Sequence, residues 1–81
     1  MIRVEKQNID FDLDNRVYEA YILYDTIEES EAIYKEFFTD FGLDEYDRGE
    51  ITLTIESWRA GTKKEFMKEI RSRVRDLNRY A

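Results

Sequence analysis

The sequence predicts an α+β fold in which two helices cover one face of a narrow sheet, as a two-layer sandwich. Three observations support this prediction. Apolar and acidic residues alternate without interruption over 9–14, the pattern of a half-buried strand, and alternation returns over 50–58. Two Thr-x-x-Glu capping signals, at Thr26 and Thr62, each precede apolar residues at helical spacing. The predicted order is ββαβα, in a single domain spanning residues 1–81.

The first two strands are predicted to form an N-terminal hairpin, over about residues 2–13 and 16–25. Asp14 and Asn15 tolerate the positive φ that a tight turn requires. A two-residue turn there places Asp10 opposite Glu19 and turns the even-numbered side chains of the second strand toward the core.

The first strand changes phase along its length, because its apolar residues are even-numbered at Ile2 and Val4 but odd-numbered from Ile9 onward. A β-bulge near residues 7–8 would shift the register by one residue and place Val4 opposite Tyr24. The alternative is a turn that divides this segment into two separate short strands.

The two helices are predicted over about residues 27–41 and 63–79, with Gly42 ending the first in a left-handed conformation. At about 100° per residue, the apolar arc of the first helix comprises Ile27, Ser30, Tyr34, Phe37, Phe38 and Phe41. The arc of the second helix comprises Phe66, Met67, Ile70, Val74 and Leu77. Both arcs are expected to cover the same face of the sheet.

The third strand is predicted over about residues 50–58, with Ile51, Leu53 and Ile55 facing the helices. The acidic stretch 43–49 before it is interpreted as a loop. A right-handed crossover through the first helix would make the second and third strands parallel.

Composition argues against most catalytic chemistry. The chain contains no Cys and no His, so it lacks thiols and the commonest general base and metal ligand. We therefore expect a protein that is not an enzyme and has no cofactor, no catalytic residues and no metal site; an Mg²⁺ site among the carboxylates of residues 44–50 is the alternative. No apolar run approaches the roughly 18 residues of a membrane span, and a cytoplasmic location is expected.

Charge is divided unevenly along the chain. Residues 1–56 contain five Lys or Arg against sixteen Asp or Glu, whereas residues 57–81 contain eight against three. The net charge of −6 therefore combines an acidic body with a basic C-terminal segment. Fields of this kind steer and select binding partners.

The candidate binding site is the sheet face that the helices leave open. Carboxylates on that face would steer a cationic partner, and its aromatic and aliphatic side chains would anchor it. The predicted partner-binding residues are Asp10, Asp12, Glu19, Tyr21, Leu23, Glu56 and Trp58. The expected partner is another protein with a basic surface. In size and acidity the chain is similar to small phage or mobile-element proteins, and that similarity implies an inhibitor that occupies a cationic site on a nucleic-acid enzyme.

Two other interpretations are left open. A basic face on the second helix would bind RNA or DNA through its phosphates, using Lys64, Lys68, Arg71, Arg75 and Arg79. The other interpretation is a homodimer, or a designed protein without a ligand. No membrane partner is expected.

Overall fold

The computed structural model describes residues 1–5, 10–12 and 16–80, and for residues 10–12 and 80 it describes the backbone alone. It confirms the α+β class and adds strand β4 and the one-turn helix α2 to the predicted order. The elements are β1 Arg3–Val4, β2 Asp10–Asp12, β3 Val17–Leu23, α1 Ile27–Phe37, β4 Gly42–Asp47, β5 Glu50–Glu56, α2 Ser57–Ala60 and α3 Lys63–Tyr80.

The sheet is antiparallel at every described pairing, and β3 and β5 form its centre. Their seven paired positions run from Val17 opposite Glu56 to Leu23 opposite Glu50. β4 pairs with the side of β5 that faces away from β3. β1 and β2 both pair with the side of β3 that faces away from β5, β1 near the C-terminal end of β3 and β2 near its N-terminal end. Along the paired strands β3 and β5, side chains therefore alternate between the face next to the helices and the face turned away from them.

The predicted parallel pairing of the second and third strands is wrong. α1 leads into β4, and the chain then reverses at Arg48 and Gly49 to form β5. Gly49 has a φ of 92° in this two-residue turn, a conformation that glycine adopts without a steric penalty. The stretch 43–49, predicted as a loop, thus contributes most of a strand. β5 lies between β3 and β4 and runs antiparallel to both.

The N-terminal hairpin has the predicted register at β2, where Asp10 lies opposite Glu19. The predicted bulge near residues 7–8 and the predicted turn at residues 14–15 lie outside the described residues.

The pairing of β1 differs from the prediction. Val4 lies opposite Ile22, not opposite Tyr24. Five residues separate Val4 from Asp10, whereas two separate the β3 residues with which they pair. β1 and β2 are two separate short strands, and the segment that joins them lies outside the described residues.

The core lies between the sheet and the two long helices. From the sheet it receives the fully buried side chains of Ala20, Ile22, Ile51 and Leu53. From α1 and α3 it receives Ile33, Phe37, Phe66, Ile70 and Val74. Both helices therefore pack on the face that carries the even-numbered residues of β3.

Both long helices begin where the capping signals predict. The Glu29 N–H donates to Oγ1 of Thr26 at 3.2 Å, and the Glu29 carboxylate accepts from the Thr26 N–H at 3.2 Å. Thr62 and Glu65 form the same reciprocal pair at 3.1 and 3.2 Å. The predicted end of the first helix is wrong, because α1 stops at Phe37 and leaves room for the chain to enter β4.

α1 is rotated relative to its predicted orientation. Ile33 is fully buried, whereas Ile27 and Phe38 are 73% and 66% exposed. The guanidinium of Arg73 on α3 donates to Oε1 of Glu36 at 3.0 Å and to its carbonyl oxygen at 2.6 Å. Because this contact holds the Glu36 side of α1 against α3, the opposite flank of α1 turns toward solvent.

The position of Gly42 provides a test of the β4–β5 pairing. A Cβ on Gly42 would lie 2.5 Å from Oγ1 of Thr54, the residue that pairs with it on β5. We expect Gly42→Ala to lower the free energy of unfolding by about 2 kcal/mol through this overlap, as measured by urea denaturation. In a Thr54→Ala background the same substitution should cost close to nothing, because the obstructing oxygen is gone. Equal costs in the two backgrounds would contradict the pairing.

Candidate binding surface

Side chains alternate between the two faces of the sheet along β3 and β5. This alternation defines an outer face, which is turned away from the helices. Every second residue of β3 enters the core, and the residues between them lie on the outer face. On β3 these are Val17, Glu19, Tyr21 and Leu23, and they pair in that order with Glu56, Thr54, Thr52 and Glu50 of β5.

β4 adds two carboxylates to this face. Asp44 pairs with Thr52, and Asp47 pairs with Glu50. The register shifts between the two aspartates. Because of this irregularity both pair with outer-face residues, although they are three positions apart in sequence. We call the resulting surface the acidic sheet face; its residues are Glu19, Asp44, Asp47, Glu50 and Glu56.

The acidic sheet face concentrates negative charge. Adjacent strands are about 4.8 Å apart and residues on one face repeat about every 6.8 Å, so neighbouring carboxylates repel one another. Asp44, Asp47 and Glu56 are exposed, whereas Glu19 and Glu50 are half-buried. None of the ion pairs among the described residues includes a member of this face. A cationic partner would therefore relieve repulsion that the protein itself does not offset.

Among the described strand residues one cation, Arg3, shares the register of this face, and it is already paired. Arg3 lies opposite Leu23, and its guanidinium donates to Oδ2 of Asp25 at 3.1 Å. This charge-assisted hydrogen bond raises the pKa of Arg3 and lowers the pKa of the Asp25 carboxyl to about 2. Arg3 therefore contributes little positive charge to the acidic sheet face.

The structure brings four of the predicted partner-binding residues onto the outer face. Glu19, Tyr21 and Leu23 are half-buried there, and Glu56 is exposed at the end of β5. Tyr21 and Leu23 thus place aromatic and aliphatic surface next to the carboxylates of Glu19 and Glu50.

The other three predicted residues have different outcomes. The backbones of Asp10 and Asp12 pair with Glu19 and Val17, but their side chains lie outside the described part of the chain. Trp58 does not lie on the sheet, because β5 ends at Glu56 and the next turn is helical. It is 79% exposed on α2.

Sequence reasoning misses Asp44 and Asp47 as members of this surface. Their stretch is rich in carboxylates, which have a low propensity for strands, and it lacks a sustained apolar alternation. One signal is present in the sequence. Arg48 and Gly49 separate Asp47 from Glu50 by two residues, which is the length of a tight hairpin turn.

The basic residues of α3 form a second charged surface, which we call the α3 stripe. Its members are all exposed and lie about 140° around the helix from the core-facing residues, so the stripe faces away from the sheet. Among the described residues, none of them takes part in an ion pair. The α3 stripe consists of Lys64, Lys68, Arg71, Arg75 and Arg79.

One ion pair lies within α3 itself. The Glu69 carboxylate lies 3.8 Å from the Arg73 guanidinium. Among the ion pairs of residues 16–80, none joins Asp76 to Arg79.

Comparison with known proteins adds no functional assignment. The chain matches no protein-family model, no curated protein and no solved structure.

Within the part of the chain that the structure describes, no helix combines the length and apolar character needed to cross a bilayer. The same residues contain no group of three carboxylates able to hold a metal ion. The functional argument therefore rests on the acidic sheet face and the α3 stripe.

The Arg3–Asp25 pair should make stability depend on pH in the acid range. Because the pKa of Asp25 is lowered to about 2 in the folded protein, its contribution is complete above its unfolded pKa of about 4. We expect the stability difference between the wild type and Asp25→Asn to be constant above about pH 5 and to shrink as the pH falls toward 2. Denaturant titrations at several pH values measure this difference. Glu28→Gln serves as the control, and a pH-independent difference for Asp25→Asn would contradict the ion pair.

Proposed function

We propose that this protein is a non-enzymatic interaction module that binds a cationic surface of another protein through the acidic sheet face. The observation that supports this proposal is the register that brings Asp44, Asp47 and Glu50 together on the outer side of the sheet, the side that also carries Glu19 and Glu56. No other described surface combines this density of carboxylates with the absence of paired cations.

The chemistry of this face suits recognition of a folded, basic surface. Carboxylates at the rim accelerate encounter with a positively charged partner and suppress encounter with other acidic proteins. Tyr21 lies opposite Thr52 and Leu23 lies opposite Glu50, so both are next to the carboxylates and would supply apolar contact area to an interface. The absence of His and Cys from the sequence further favours binding over catalysis.

A cationic groove that binds nucleic acid is the partner surface that we propose. The lysine and arginine groups that neutralise phosphates in such a groove would pair equally with carboxylates. An acidic protein bound there would compete with nucleic acid and inhibit the enzyme, as the similarity to small phage or mobile-element proteins implies. Competition between this protein and an oligonucleotide for the captured partner tests this part of the proposal.

Two variants with matched charge test the proposed surface. The first replaces exposed residues of the acidic sheet face, Asp44→Asn, Asp47→Asn and Glu56→Gln. The second replaces exposed carboxylates elsewhere, Glu28→Gln, Glu31→Gln and Asp76→Asn. Each variant removes three negative charges, so a difference between them reports position and not net charge.

We expect the first variant to bind its partner at least about tenfold more weakly, because close charge pairs at an interface each contribute about 1 kcal/mol or more. The control variant should retain the affinity of the wild type within about a factor of three. The measurement is the dissociation constant for the protein captured from an extract of the source cell at low salt. Equal losses in the two variants, or no loss in the first, would refute the proposed surface.

A second candidate function is binding of RNA or DNA through the α3 stripe, and its support is the exposure of all five of its basic side chains. If the stripe contacts five phosphates, the logarithm of the association constant for a duplex should fall with the logarithm of salt concentration with a slope of about −4.5. Fluorescence anisotropy with labelled oligonucleotides measures this slope. The variant Lys68→Gln, Arg71→Gln, Arg75→Gln should reduce it by about 3, whereas Lys35→Gln on α1 should leave it unchanged. Absence of binding at about 50 mM salt would remove this candidate.

A further inference from the structure

We infer that the outer edge of β4 is a docking site for an extended segment in which basic and apolar residues alternate, bound as an additional strand of the sheet. This inference rests on the proposed function, because the acidic sheet face would receive the basic side chains of that segment. It specifies in addition how the partner binds and what pattern its sequence has.

The first observation is the topology of the sheet. β4 pairs with β5 along one side, and no described strand pairs with its other side. Its six residues extend about 20 Å, so they present a row of backbone donors and acceptors to an incoming chain. Main-chain hydrogen bonds of this kind supply affinity in strand addition, and pockets for alternate side chains supply specificity.

The second observation is a set of exposed apolar side chains on or next to α1 and β4. Ile27, Phe38 and Tyr46 are 73%, 66% and 81% exposed, and they account for three of the five large hydrophobic residues described as exposed. Ile27 begins α1 and Phe38 caps its C-terminal end, so they mark the two ends of one flank of the helix, with the exposed Glu31 between them. Ile27 is the member of this flank that lies near Tyr46 of β4.

The same flank faces the edge strand. Ile27 of α1 and Tyr46 of β4 line one surface groove of about 430 Å³, together with Tyr24 and the charged residues Glu45, Asp47 and Arg48. The hydroxyl of Tyr24 donates to Glu45 and holds that carboxylate at the groove. Burial raises the pKa of the neighbouring Tyr34, with the charge of Glu45 as a further cause. An apolar side chain of an added strand would enter this groove.

The third observation is the difference between the two sides of the edge. Alternate side chains of an added strand point to opposite faces of the sheet and repeat about every 6.8 Å on each face. On the helix side they would meet Ile27 and Tyr46. On the outer side they would meet the carboxylates of Asp44 and Asp47. This arrangement selects a segment with apolar residues at every second position and Lys or Arg at the positions between them.

The charge of β4 also argues against a second copy as the occupant. Antiparallel pairing of two β4 edges would bring Asp44, Glu45 and Asp47 of both chains together, and opposed like charges destabilise strand pairs. Charged edge strands prevent self-association in this way. The edge is thus protected against another copy while it remains open to a basic strand.

The experiment uses a synthetic probe peptide of about nine residues, long enough to cover β4 at about 3.4 Å per residue. Its ends are acetylated and amidated, and Val or Ile alternates with Lys or Arg. One control has the same composition with the basic residues in a single block. A second control keeps the alternating sequence but is N-methylated at every other residue, which blocks strand pairing.

Backbone amide NMR of the full chain then reports binding and its location. The alternating peptide should slow hydrogen exchange of β4 amides by about tenfold or more at saturation, and each control peptide should bind at least about tenfold more weakly. Ile27→Ser and Tyr46→Ser should each weaken binding of the alternating peptide by about fivefold or more. Trp58→Ser, which removes an equally exposed aromatic residue from α2, should leave the affinity unchanged.

Equal binding of the alternating and blocked peptides, or no effect of N-methylation, would overturn the inference and indicate attraction by charge alone. Protection of β4 in the absence of peptide, accompanied by dimer formation in sedimentation experiments, would overturn it in favour of a second copy. Either result leaves the proposed function intact, since that proposal depends on the matched carboxylate variants. If those variants also bind their partner as the wild type does, the proposed function fails as well.

Discussion

The antiparallel ladder between β3 and β5 is the constraint on which the rest of the structure depends. Ala20 opposite Leu53 and Ile22 opposite Ile51 form four fully buried positions at the centre of the sheet. A slip of one residue would exchange this apolar set for Glu19, Tyr21 and Thr52, so the register is strongly specified by burial. The same alternation that builds the core also assembles the acidic sheet face on the opposite side.

The helices adapt to this ladder through contacts that sequence periodicity does not reveal. Arg73 lies 4.7 Å from the ring of Phe37 and donates to Glu36 and Asp40, so one side chain joins α1 to α3 through both stacking and charge. Its position determines which flank of α1 faces solvent, and that flank carries Ile27, which lines the groove beside β4. The stability of the helix layer and the chemistry of the proposed docking site are therefore connected.

The elements that local rules specify could be predicted from the sequence. The two capping boxes, the register of Asp10 with Glu19 and the inward face of β3 each depend on residues close together in the chain. β4 could not be predicted in the same way, because backbone pairing with β5 holds its acidic residues in a strand. Asp44 and Asp47 consequently appeared to belong to a loop. The rotation of α1 was also missed, since it depends on Arg73, which lies 37 residues from Glu36 in sequence.

The acidic sheet face and the docking edge therefore both depend on β4 being a strand of the sheet. Nuclear Overhauser effects between backbone protons of β4 and β5 measure this directly. We expect cross-strand contacts from Leu43 to Leu53 and from Asp44 to Thr52 in the free protein. Random-coil chemical shifts for residues 42–47, without contacts to β5, would contradict it and would return Asp44 and Asp47 to a solvated loop.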